Sequence, residues 1–286
     1  MSRFPSSSAF LLTTVAICAA IVWGEDFEGA PPTPTEQNEI LARIAKYSQD
    51  YVDNLPDFIC LQLVEQFESR PHSDRWRKGD TLASRLVFNQ GQEVHTLEMV
   101  NGKPLKPGLR RPHIPLKTEG EFGILLASII SPQSEARFSW AGWIRVDAKR
   151  LASFRYWIDK QHSTLKLSLS DLAQAVLPYS GTITTDPDTG EVWRLTSGTS
   201  DIPEDVRTRS ISTEISYDQV TIGGRDYLLP IRATVITETP TANLRNEMTF
   251  RQYRKFTTDS NITFLDDNLD RSKAVKSGDK DRSPQF

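Results

Sequence analysis

The sequence predicts an α+β fold in which a strongly curved antiparallel sheet of about ten strands covers two helices. Three observations point there. From about Phe138 to Phe256, alternating β-rich segments follow one another between turn signals. Two segments before that stretch carry apolar residues at helical spacing. No unit of fixed period recurs, which disfavours a propeller or solenoid.

The chain opens with Arg3, an apolar run from Ala9 to Trp23, then Gly24 and the acidic pair Glu25 and Asp26. A basic start, an apolar core of roughly 15 residues and a small residue before polar sequence describe a secretory signal peptide. The run falls short of the roughly 20 apolar residues that a membrane helix needs. Cleavage is expected after Gly24, with Ala20 as the alternative, and the protein is expected to be exported to the periplasm or cell envelope. Cys18 follows the bulky Ile17, where lipoprotein processing requires a small residue, so lipid anchoring at Cys18 is not expected. Loss of the leader leaves Cys60 alone, without a disulfide partner. Cys60 lies inside an apolar strand pattern and reads as a small buried thiol.

Residues 25–34 read as a linker. A helix follows, with Thr33 as N-cap, Pro34 at the first helical position and Glu36 closing a capping box. Ile40, Leu41, Ile44, Tyr47, Tyr51, Val52 and Leu55 fall on one face, and Pro56 ends the helix. Strands are expected over 58–67, 82–88 and 93–100, with turns at Asn89-Gln90-Gly91-Gln92 and Asn101-Gly102. The basic, Pro-rich stretch from Lys103 to Lys117 reads as a solvated loop. Residues 119–130 read as a second, deeply buried helix stopped by Pro132.

Beyond Ala136 the period becomes two. Phe138, Trp140, Ile144 and Val146 alternate with polar or small residues, and Asp147-Ala148-Lys149-Arg150 can turn the chain into the segment 154–158. Further strands are expected at 164–169, on both arms of a hairpin closed by Asp186-Pro187-Asp188-Thr189-Gly190, at 210–222, at 227–237 after Gly223-Gly224, and at 247–256. The domain is taken as 35–264, and the charged tail 265–286 as disordered.

Composition limits the chemistry. With 34 Lys and Arg against 37 Asp and Glu, the formal charge is −3, and no basic stripe interleaved with aromatics suggests a nucleic-acid partner. His72, His95, His113 and His162 are scattered singly, so neither metal nor cofactor is expected. Asp186, Asp188 and Glu191 imitate a calcium loop, but Gly190 stands at the fifth position and no bidentate glutamate follows at the required distance. No nucleophile elbow or phosphate loop is present, and Cys60 is placed where burial would suppress its reactivity. No catalytic residue is assigned. A hydrolase assembled from distant carboxylates would leave no local signal.

The aromatic residues say more. Phe138, Trp140, Trp143, Phe154, Tyr156 and Trp157 crowd two adjacent strands. Either helices and long Arg stems such as Arg145 and Arg155 cover them, or part of this surface lines a cavity for an apolar ligand.

The order of elements, with Tyr179-Ser180-Gly181, the Asp186–Glu191 turn, the segment from Ile222 to Pro230 and Asn54-Leu55-Pro56-Asp57-Phe58-Ile59-Cys60, resembles the LolA/LppX/RseB-like superfamily. The resemblance implies an incomplete β-barrel wrapped over helices and enclosing a hydrophobic groove. It also implies a periplasmic or cell-surface protein that carries, binds or senses acyl chains or lipoproteins. The expected function is therefore non-enzymatic binding of an apolar ligand, a lipid or lipidated protein, by a monomer that meets membranes only peripherally. Trp140, Phe154, Tyr156, Leu125 and Ile129 are the expected lining. The rival expectation is an envelope scaffold with a filled core and a partner surface on the convex face, including Trp143 and Trp157.

Overall fold

The computed structural model describes residues 26–27, 29–105, 123–146, 148–170, 173–203, 206 and 208–256. The expected signal peptide, most of the expected loop from Lys103 to Lys117, the first turn expected of the second helix and the expected disordered tail lie outside the described residues. In chain order the elements are β1 (Asp26–Phe27), α1 (Pro34–Asn54), β2 (Phe58–Ser69), β3 (Arg77–Asn89), β4 (Gln92–Val100), β5 (Lys103–Pro104), α2 (Ile124–Ile130), β6 (Arg137–Val146), β7 (Lys149–Ile158), β8 (Lys166–Ser170), β9 (Ala173–Val176), β10 (Tyr179–Thr185), β11 (Val192–Thr199), β12 (Ser210–Ile222), β13 (Arg225–Glu238) and β14 (Asn243–Lys255).

Twelve strands form one antiparallel sheet in the order β1-β6-β7-β10-β11-β12-β13-β14-β2-β3-β4-β5, while β8 and β9 pair separately. The sheet is curved but unclosed, and both helices lie against its inner face. One apolar core gathers Phe154 and Tyr156 from β7, Leu86 and Phe88 from β3, Ile40 and Ile44 from α1, and Leu126 and Ile129 from α2. Curvature is what lets strands so far apart in the sheet share one core. Bulges supply much of it, since each extra residue bends its strand and increases the local twist. They occur at Trp140/Gly142, Thr184/Thr185, Ser216/Tyr217 and Arg251/Arg254, among other positions. Pro230 sits beside one of them, opposite Tyr217 and beyond the last pairing of β13 with β14, where its missing N–H disturbs little.

The capping box forms as the sequence requires. The Glu36 carboxylate accepts from the Thr33 backbone N–H at 2.7 Å and from its hydroxyl at 2.8 Å, and Glu36 N–H donates back to Thr33 Oγ1. Those bonds, the backbone one first, hold the Glu36 carboxyl below its ordinary range.

Helix α1 is fixed along its length. Ile40 and Ile44 are buried, Tyr51 Oη donates to the Leu228 carbonyl at 2.8 Å, and Arg43 donates to the Pro187 carbonyl at 3.1 Å. The β10–β11 turn satisfies itself. The Asp186 carboxylate accepts from the N–H groups of Asp188 and Thr189, and Gly190 N–H donates to the Asp186 carbonyl. Gly190 has φ +79°, and a Cβ there would lie 2.4 Å from the Arg43 carbonyl carbon. This glycine therefore serves a close approach between turn and helix as well as the turn itself.

Four departures from the sequence expectation are structural. Part of the expected linker forms β1, which pairs with Trp143 and Ile144 of β6. The β5 and β9 strands were not anticipated, because two- and four-residue strands carry no readable period. Helix α2 buries one face instead of being deeply buried, since Ile124 is 56% exposed. Lastly, the bulge at Gly142, with φ +143°, resets the alternation of β6. Trp143 follows Trp140 onto the inner side, edge-on to it with ring centroids 5.0 Å apart, and is not on the convex face.

Candidate functional site

The inner face of β6, β7 and β10 carries two aromatic rows, because antiparallel partners share a face. In one, Phe138 lies opposite Tyr156, which lies opposite Gly181, with Tyr179 next along β10. Ring centroids are 6.5 Å apart for Phe138 and Tyr156 and 6.1 Å for Tyr156 and Tyr179. In the other row Trp140 meets Phe154 edge-on at 5.3 Å, and Ile183 lies beyond it. Gly181 leaves room for the Tyr156 ring to cross it, and Tyr156 Oη donates to the Thr196 carbonyl on β11 at 2.8 Å.

Helix α2 covers the Tyr179 end of this surface. Leu126 and Ile129 are buried beneath it, and Ser128 Oγ is 3.5 Å from Tyr179 Oη. The other hydrogen bonds of the helix stay within its own segment. Ser128 Oγ donates to the Leu125 carbonyl, Ser131 N–H donates to the Ala127 carbonyl, and Ser134 Oγ meets the Ile129 and Ser131 carbonyls. Among the described residues, apolar contact is the main bond between α2 and the sheet.

The five expected lining residues all join this one cluster. Phe154, Tyr156 and Ile129 are 1%, 2% and 0% exposed. Trp140 and Leu125 are half-buried at the margin. Neighbouring core side chains close over the first three in this structure. Phe138 and Tyr179 also belong to the surface beneath α2. Phe138 stood out in the aromatic crowd, whereas Tyr179 becomes visible only once the β7–β10 register is known.

Two depressions lie on the outer face instead, with volumes of about 440 and 400 Å3 and sharing Ser180. Trp157 stands at the rim of the first, 42% exposed. Trp143 contributes nothing there, because Arg150 covers its ring at 3.7 Å and its Nε1 donates to the Ala30 carbonyl at 3.0 Å.

Titratable groups are dispersed. Cys60 is buried and free, and burial, followed by the nearby Glu93 charge, pushes its thiol up. Burial likewise raises Tyr47, Tyr51 and Tyr156. His95 Nδ1 lies 3.1 Å from Gln62 Oε1, with Glu93 on its other side at 3.5 Å. Among the described residues no three or more His, Cys, Asp or Glu side chains gather as a metal site would require, and no helix is long and apolar enough to cross a membrane.

Taken together, these features define an open antiparallel half-barrel with two inner helices and an aromatic inner wall. Two of the solved structures similar to it illustrate the likeness. One is the LolA superfamily protein NE2245 from Nitrosomonas europaea, at 7% identity and a TM-score of 0.35, covering 76% of this chain and 94% of that one. The other is a domain assigned as an outer membrane lipoprotein-sorting protein, from Vibrio parahaemolyticus, at 9% identity and a TM-score of 0.41, covering 84% and 98%. Both carry names from the group that the sequence resembles. At these scores the likeness says nothing of a ligand, and the half-barrel rests on this chain's own strand register. No protein-family model matches the chain, and no curated protein matches it.

Proposed function

We propose that this is a non-enzymatic, exported binding protein that takes an apolar chain, from a lipid or a lipidated protein, between the curved sheet and α2. The supporting observation is how α2 is held. Its carbonyls are met largely from its own segment, so among the described residues the long Ser128–Tyr179 contact is its hydrogen bond to the sheet, and the packing of Leu126 and Ile129 together with its neighbour α1 holds it otherwise. Fully burying one such side chain is worth about 1.5–3 kcal/mol, a cost that an acyl chain occupying the same surface would offset at about 25 cal/mol per Å2. Ile124 and Leu125, exposed and half-buried, supply the apolar margin from which a chain would start inward, and Trp140 stands at the margin of the same core.

Ligand uptake here means replacement: the acyl chain takes the positions of Leu126 and Ile129 against Phe138, Tyr156 and Tyr179. The test is organic extraction of protein purified from its native envelope, followed by mass spectrometry. A near-stoichiometric acyl-bearing compound is expected. Repeated recovery of ligand-free protein that also fails to bind added fatty acid or phospholipid would overturn the proposal. The filled interior and the outer-face position of Trp157 favour a second reading, an interaction module whose working surface is the outer face.

A further inference from the structure

We infer that the outer face of the sheet binds a short acidic oligosaccharide, in the depression walled by Trp157 and Arg155. Outer-face partners across β6, β7 and β10 are fixed by register: Arg137 opposite Trp157 opposite Ser180, and Ser139 opposite Arg155 opposite Thr182. These six residues, with Phe138, Tyr156 and Gly181 between them, line the depression of about 440 Å3. A second, of about 400 Å3, adjoins it at Ser180 and is floored by short side chains, among them Thr196, Gly198, Ser212 and Thr234. From β7 to β13 the two together cross four strand spacings, roughly 19 Å.

The two ends of this trough differ in chemistry. Trp157 is held in place, since its Nε1 donates to Asp159 at 2.7 Å. Arg137 takes the same carboxylate through both oxygens at 3.1 Å, so its charge is balanced. Trp157 is 42% exposed, so its indole offers water a rigid apolar surface of the kind that packs against the C–H face of a pyranose ring. Arg155 makes no ion pair among the described residues, although it shares the pocket with Trp157. At the far end Arg194 is matched by Glu214 at 2.6 Å. Among the described residues the trough therefore sets a cation without an ion pair, Arg155, beside the exposed Trp157 indole, with hydroxyl groups along its floor. A fixed ring, hydroxyl partners and one guanidinium are complementary to a sugar chain bearing a carboxylate. An acyl chain would leave the Arg155 guanidinium and the hydroxyl groups unmet, and a phosphopeptide would leave the indole plate unused. This site lies on the opposite face of the sheet from α2 and stands or falls independently of it.

Calorimetric titration of the purified full-length exported protein with trigalacturonate and with neutral maltotriose tests the inference, with anionic phospholipid vesicles as a third arm. Trigalacturonate is expected to bind at least tenfold tighter than maltotriose. Arg155→Gln should erase that preference, and Trp157→Ala should weaken both sugars at least tenfold. Both side chains are exposed, so the melting temperature should hold. If Trp157→Ala does not fold, Ser212→Trp, which fills the adjoining depression from an exposed position, is expected to weaken a hexamer more than a trimer. Absence of saturable sugar binding, equal binding in wild type and variants, or binding to vesicles alone would overturn the inference.

Discussion

The Tyr156 hydroxyl reaches across Gly181 to donate to the Thr196 carbonyl at 2.8 Å, bridging three strands with one side chain. The β10–β11 ladder is interrupted here, between the pairs Ser180↔Gly198 and Ile183↔Leu195. Thr182 N–H turns instead to Thr196 Oγ1 at 2.8 Å. A Cβ on Gly181 would lie 2.0 Å from the Thr196 oxygen, a contact with backbone that cannot be relieved by a rotamer change. Gly181→Ala is expected to cost about 3 kcal/mol or more, read as a lower urea midpoint. Tyr156→Phe should cost about 1–3 kcal/mol by leaving a part-buried carbonyl unmet. In the double variant the two costs should fall short of their sum.

Gly190 separates two roles of glycine. Its φ of +79° nearly equals the +80° of Gly224, but Gly224 has nothing within 4 Å of a hypothetical Cβ, whereas Gly190 meets the Arg43 carbonyl carbon at 2.4 Å. Gly224→Ala should lose about 1 kcal/mol, the left-handed penalty alone. Gly190→Ala should lose at least about 2 kcal/mol more, because α1 must move away from the turn. Equal losses in urea unfolding would contradict the close approach.

How much of this was legible beforehand follows from the range of each signal. The capping box of α1, the Pro187–Gly190 turn and the Gly223-Gly224 turn are local, and residue type alone specifies them. The five inner residues were findable as a set because the period of two puts Phe154 and Tyr156 on one face. Whether they line a groove or fill it depends on how closely α2 approaches, which no local pattern records. Trp143 lies on the other face from the one the alternation predicts because one extra residue at Ala141–Gly142 reverses every later side chain in its strand. Gly181 and Gly190 read as turn or strand glycines, since their neighbours Thr196 and Arg43 are distant in sequence.

Alkaline pH should unfold the protein by a defined route. Burial raises Cys60, Tyr47, Tyr51 and Tyr156 in the folded state. The unfolded chain releases these protons first, near pH 8.5 for the thiol and 10 for the phenols. Stability is therefore full below those values and falls as pH rises above them, by about 1.4 kcal/mol per pH unit for each group once it titrates in the unfolded chain. Urea midpoints are expected to stay level from pH 7 to 8 and to drop steeply above 10. Tyr51→Phe should reduce the slope by about one group while losing the bond to the Leu228 carbonyl, worth about 1 kcal/mol.

Cys60 should be silent in the native protein. The thiol is buried and its ionisation is suppressed, so a thiol-reactive disulfide reagent should label it at a rate set by opening of the core. Labelling is expected to accelerate by orders of magnitude in urea. Rapid labelling in native buffer would show that Cys60 is not buried in the core.

The occupancy of the space under α2 is open to direct observation. Isotope-filtered NMR on protein loaded with a uniformly 13C-labelled fatty acid should give cross-peaks from the acyl chain to the rings of Tyr156 and Tyr179 and the methyls of Ile129. The amides of Ala127 and Ser131 should shift as α2 moves aside. Cross-peaks confined to exposed side chains, or none at all with the Ile129 and Tyr156 signals unchanged, would contradict binding between helix and sheet.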